Sequence, residues 1–167
     1  PLSKFFLSGT WNPTGSSPEF GIWALIIGTL KITVIATIVA VPIGLGAAIY
    51  LNEYASDRSR RIIKPILEIL AGIPTIVFGF FALTFVTPIL RNLIPNLGEF
   101  NSISPGIVVG IMIVPMITSM SEDAMSSVPD KIREGAFGLG ATKFEVATKV
   151  VLPAATSGVV ASIVLGI

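Results

Sequence analysis

The stretch EGAFGLGATKFEVATKVVLP, Glu134 to Pro153, decides the fold, because it is a polar, charged helix-turn-helix set between apolar segments. Pro129 suits the first turn of a helix, where its missing N–H costs nothing, and that helix runs on through Lys131, Arg133 and Glu134. Gly138 and Gly140 end it. Thr142 followed by Glu145 has capping-box spacing, in which each side chain satisfies a free backbone N–H at the start of a second helix. The second helix reaches about Leu152, and Pro153 kinks the chain into the next apolar run. Such a hairpin, charged on its outside and fixed between spans, reads as a docking surface.

Outward from it, the composition is that of a membrane protein: 52% of the 167 residues are hydrophobic and 13% charged, and the mean hydropathy is +0.85. A formal charge of +1 without long basic runs argues against nucleic acid as a partner. With no Cys and no His, the chain lacks thiol nucleophiles, His-based catalysis and Cys/His metal sites, so neither a catalytic residue nor a metal site is expected. The chain starts without Met and without a signal-peptide core, which reads as part of a longer protein.

The expected architecture is all-α, a polytopic transmembrane helical bundle forming one domain over 1–167. Residues 1–20, with Trp11, a Gly-Ser-Ser-Pro turn and only Lys4 and Glu19 charged, read as an external loop. Residues 22–51 form a first span, bent by Pro42 with Gly44 and Gly46. Asn52 to Lys64 is cationic, and an amphipathic helix with Pro65 in its first turn leads to the break at Gly72-Ile73-Pro74. A second span covers 75–93, and a third covers 106–120 with Gly106 and Gly110 as a small-xxx-small pair. Residues 121–153 are the charged loop, and 154–167 begin a fourth span too short to cross. The cations Arg58, Arg60, Arg61, Lys64, Lys131, Arg133, Lys143 and Lys149 fall in two segments on one side, which places both in the cytoplasm.

The hairpin resembles the signature of the membrane-spanning permease subunits of ABC importers: an EAA segment, three residues, Gly, nine residues, then I-x-L-P. Glu134, Gly135 and Ala136 precede Gly140 by that interval, and Val150, Val151, Leu152 and Pro153 close it, with Gly135 in place of Ala and Val150 in place of Ile. The resemblance implies a cytoplasmic coupling element at Glu134, Gly135, Ala136, Gly140, Leu152 and Pro153. It also implies partners: ATPase subunits that bind ATP and Mg, a second permease subunit and an extracytoplasmic substrate-binding protein. No cofactor is expected in this chain. The stretches Leu67 to Leu90, Ser121 to Pro129 and Phe6 to Thr14 are similar to the phosphate-specific permeases, the last favouring the PstC-type over the PstA-type subunit. The implied setting is a bacterial or archaeal inner or plasma membrane, with the chain embedded in membrane lipid. In phosphate permeases a charged segment follows the last helix begun here.

For an anion pathway the candidates are Lys31 and Thr75. A mid-membrane Lys costs about 2.5–3.5 kcal/mol on insertion scales, so Lys31 either faces a polar pathway or snorkels to the headgroups. Thr75 follows a helix break, where exposed N–H groups can meet an anion. Thr33, Thr84, Thr118 and Ser119 read as structural hydroxyls. Glu122 and Asp123 read as a loop cap or partner contact. The run Gly138 to Lys143 lacks the order of a phosphate-binding loop, so ATP binding by this chain is not expected. The other readings are a permease for another oxyanion, an ion-gradient transporter or channel, or a non-transporting scaffold. No Asp or Glu falls within the four apolar runs, as an ion-coupled pathway would want.

Overall fold

A computed structural model describes residues 2–167; of the expected external loop, Pro1 lies outside the described residues. The elements in order are α1 (Leu2–Leu7), β1 (Trp11–Asn12), β2 (Glu19–Phe20), α2 (Ile22–Tyr54), α3 (Asp57–Ala71), α4 (Thr75–Leu93), α5 (Ile103–Ser126), α6 (Asp130–Gly138), α7 (Lys143–Ala154) and α8 (Thr156–Gly166). Among the described residues three helices, α2, α4 and α5, are long and apolar enough to cross a membrane. A fourth crossing is formed if α7 and α8, which meet at 74°, are one broken span.

The bundle is organised around α2 and α5. A stripe of small residues, Ala36, Ala40, Gly44 and Ala48, recurs every fourth position on α2 and is buried, while Leu30, Val34, Ile38 and Ile43 are exposed to the surroundings. A helix apolar all round is built for lipid, and only its small face is needed for a neighbour. The small-xxx-small pair on α5 packs beside that stripe, against Ile35 and Val39. A Cβ at Gly106 would stand 2.7 Å from Ile35, and one at Gly110 would stand 2.8 Å from Val39 and 2.9 Å from the Ala36 carbonyl. Gly44 makes the reciprocal approach, 2.8 Å from Ile117. Helix α8 packs on α5 in the same way, with Gly158 against Ala124 and Gly166 against Ile113.

Polar pairs bridge these seams. Thr118 donates to the Gly44 carbonyl at 3.2 Å, Ser121 and Ser162 share a buried hydroxyl contact at 2.7 Å, and Thr87 on α4 donates to Ser104 at 2.8 Å. Two of the helix prolines follow a widened turn. A π-helical turn at Ala82–Val86 precedes Pro88, and another at Val146–Val151 precedes Pro153. A wider turn moves aside the carbonyl that the proline ring would strike.

Several boundaries differ from the sequence expectation. The third span is longer than 106–120 and takes in Ser121–Ser126 of the expected loop, because Ser121 and Glu122 find partners on other helices and need no water. The fourth helix begins at Thr156 rather than 154, after Ala155 at the bend. Pro65 sits in the middle of α3, since Ser56 caps the helix earlier by accepting the Ser59 N–H at 3.3 Å. Helix α2 runs on without a break through Pro42, and Gly44 serves close packing on α5. The external segment contains α1 and a short hairpin in which Trp11 pairs with Phe20, their rings edge-to-face at 5.7 Å.

Candidate functional site: the α6–α7 hairpin and its junction

Helix α6 starts directly after Pro129 and stops in a complete left-handed cap. Gly140 has φ 86°, its N–H donates to the Phe137 carbonyl at 2.9 Å, and the Ala141 N–H reaches back to Ala136 at 3.1 Å. This is the paired hydrogen-bond stop that favours glycine, because a Cβ is strained at that φ. Two residues later the capping box is formed. The Thr142 N–H donates to the Glu145 carboxylate at 3.1 Å and the Glu145 N–H to the Thr142 hydroxyl at 3.3 Å. The Thr142 N–H, and then Lys149 at 3.1 Å, hold the Glu145 carboxyl below its ordinary value.

The hairpin has an anchored inside and a bare outside. Val146 and Val151 of α7 are buried with Ala48, Met125, Val128 and Val159, and Ala136 and Leu152 pack onto the same cluster. On the outside Leu139 is 92% exposed and Phe144 68%. Glu134 and Gly135 lie on this face, and among the described residues the Glu134 carboxylate has no hydrogen-bond or ion-pair partner. Pro153 is exposed at the start of the α7–α8 bend. Three apolar or charged outer residues on a fixed turn can offer a partner both an apolar contact and a carboxylate.

Arg133, the residue before Glu134, points the other way. Its guanidinium donates from Nε to Glu53 at 3.2 Å, from Nη1 to the Val128 carbonyl at 2.8 Å and Asp130 at 3.0 Å, and from Nη2 to Asn52 at 3.0 Å and the Met125 carbonyl at 2.7 Å. Asn52 also donates to Ser126 at 2.7 Å. Arg60 on α3 donates to the Leu51 and Asn52 carbonyls at 2.8 and 3.0 Å, filling the free acceptors at the end of α2. Lys64 pairs with the buried Glu122 at 2.9 Å. Glu122 is thus a helix residue joined to α3 rather than a loop cap, while Asp123 is exposed. The partners of Arg133 on α2 could not be found locally in the sequence, since Arg133 and Asn52 are 81 positions apart.

Between α3 and α5 lies an open groove of about 550 Å³, with Lys64, Glu68 and Glu122 at its polar side and Met112 and Met116 at its apolar side. The two pathway candidates are apart. Lys31 is exposed and lines a groove with Leu97 and Ser102, near the end of α4, whereas Thr75 opens the other end of α4. The structure therefore does not bring Lys31 and Thr75 together. Among the described residues no three acidic side chains converge as a metal site would require.

This arrangement, apolar spans with an anchored polar hairpin between two of them, defines a membrane permease core. Residues 40–167 match the family described as binding-protein-dependent transport system inner membrane component, and the chain belongs to that family. It is 38% identical over 164 residues to the probable ABC transporter permease protein YqgH of Bacillus subtilis (strain 168), covering 98% of this chain and 53% of that protein. It is 36% identical over 183 residues to the phosphate transport system permease protein PstC of Haemophilus influenzae, covering 98% of this chain and 58% of that protein. The chain thus spans a little over half the length of these relatives. In fold it is similar to a chain of the MetNI methionine ABC transporter in inward-facing conformations, with TM-score 0.72 and 23% identity over 87% of this chain and 68% of that chain.

Proposed function

We propose that this chain forms the permease core of an ATP-driven importer of inorganic phosphate, working by alternating access, with the α6–α7 hairpin as the element on which an ATPase subunit acts. The substrate reading is supported by relatives named phosphate transport system permease protein that align with 98% of the chain. The observation that carries the coupling reading is the two-sidedness of the hairpin: Ala136 and Leu152 are held in the bundle while Glu134, Leu139 and Phe144 face outward. ATP and Mg belong, on this reading, to the ATPase subunit, and a second permease subunit and an external binding protein complete the assembly. The convergence of Lys64, Arg60 and Arg133 on one end of the bundle supports that end as cytoplasmic. Lys31 and Thr75 remain the proposed polar points of the pathway, acting at its two ends.

The test uses the complete transporter in vesicles. Glu134→Lys reverses the charge offered to the ATPase, so the expected result is at least a tenfold loss of ATP-driven phosphate uptake, as for truncating one partner of a buried charge pair. Membrane insertion should be unchanged. Wild-type uptake in that variant would remove the hairpin from the coupling role. Competition by sulfate and molybdate for uptake then tests the anion.

A further inference from the structure

Glu134 and Arg133 are neighbours on α6 but face opposite ways, one outward and one into the bundle. We infer that Arg133 is the positioning residue of coupling: it ties α6 to the ends of both α2 and α5, so that α6 cannot shift without carrying both spanning helices. The inference rests on the coupling reading of the hairpin and extends it to a residue that never touches the ATPase.

The geometry carries this. A guanidinium has five N–H donors in one plane, and here each of its three nitrogens is engaged, with acceptors drawn from three elements. Two are main-chain carbonyls, Met125 in the last turn of α5 and Val128 in the connection that follows it. The Met125 carbonyl already accepts the Val128 N–H at 3.2 Å, and Arg133 adds a charged donor to it while holding α6 against α5. Two more, Asn52 and Glu53, lie in the last turn of α2. The Arg133 side chain is 14% exposed and that of Glu53 7%. A charge pair this dry is lost as a whole when one member goes, because the other is left without water. A solvated cation would show none of these contacts.

Without the guanidinium, α6 stays attached to α5 by Ser127 to Pro129 and to the apolar cluster by Ala136. It could then tilt under load while α2 and α5 stand still. A lysine can substitute only in part, since one ammonium cannot span the ends of two helices in a plane.

The experiment compares wild type with Arg133→Met and Arg133→Lys in the assembled transporter. It measures ATP hydrolysis and uptake of radiolabelled inorganic phosphate on the same vesicles. The expected result is a fall in phosphate moved per ATP of about tenfold for Arg133→Met, with Arg133→Lys between it and wild type. A purely structural role would lower the amount of complex and both rates together, leaving the ratio at its wild-type value, and that result would overturn the inference. Should Arg133→Met fail to assemble, the double variant Asn52→Ala/Glu53→Gln removes only the α2 side of the clamp. A ratio lowered about threefold supports the inference, and an unchanged ratio sinks it. The variant Leu139→Cys, outside the clamp, treated with a bifunctional thiol-reactive cross-linker, reports separately on the underlying reading. If it does not cross-link to the ATPase in the assembled wild-type background, the coupling reading fails, and the Arg133 inference with it.

Discussion

The seam between α2 and α5 and the junction at their ends hold the same two helices by opposite means. In the seam, Ile35, Val39 and Gly44 meet Gly106, Gly110 and Ile117 with no charge at all, and stability comes from how closely two helices approach. At the junction, Arg133, Glu53, Asn52 and Arg60 replace shape with directed hydrogen bonds. Close packing has a single best distance and tolerates no added atom. A hydrogen-bonded junction tolerates changes of volume but not the loss of a partner. One region is therefore sensitive to size and the other to chemistry.

The largest effect is expected where size is added to the seam. Gly110→Val places a Cβ 2.8 Å from Val39 and 2.9 Å from a carbonyl of α2, so the helices must separate. The cost should lie at the upper end of the roughly 1–3 kcal/mol typical of overpacking. A thermal midpoint in detergent equal to wild type would mean that the seam is not close-packed. Next comes the hairpin turn. Gly140→Val, at φ 86°, should cost about 1–2 kcal/mol by forcing a β-branched residue into the left-handed region. Gly135→Ala, where an added Cβ meets nothing within 4 Å, should instead stabilise α6 by up to about 1 kcal/mol. Amide exchange at Ala141 and across α6 distinguishes them, and equal effects would show that neither glycine is used for its backbone. The smallest effect is at the polar bridge inside a seam. Ser121→Ala removes a hydrogen bond to Ser162 and should cost only about 0.6 kcal/mol, the average for such pairs between membrane helices. A loss several times larger would move Ser121 to the chemistry-sensitive class with Arg133.

Local signals carried much of this. The cap at Gly140 and the capping box at Thr142 and Glu145 depend on residues within a few positions of one another, and both were readable in the sequence and are formed. The glycine pair of α5 is readable as a packing surface, though not that its partners are Ile35 and Val39 of α2. The end of α5 was misread because Ser121 and Glu122 look like loop residues until Ser162 and Lys64, on other helices, are in place. Arg133 was counted only as one cation of an inside segment. A long-range clamp has no periodicity and no spacing, so composition could mark its charge but not its direction.

The turn at Gly140 has a consequence for association. Because its hydrogen bonds and the capping box after it are complete within the chain, the angle between α6 and α7 is set before any partner arrives. A loop that ordered on contact would give up part of its binding energy to lost conformational freedom, about 0.5–1.5 kcal/mol for each immobilised long side chain. A hairpin ordered in advance keeps that energy for the encounter, and its dissociation rate, not its folding, sets how long a partner stays.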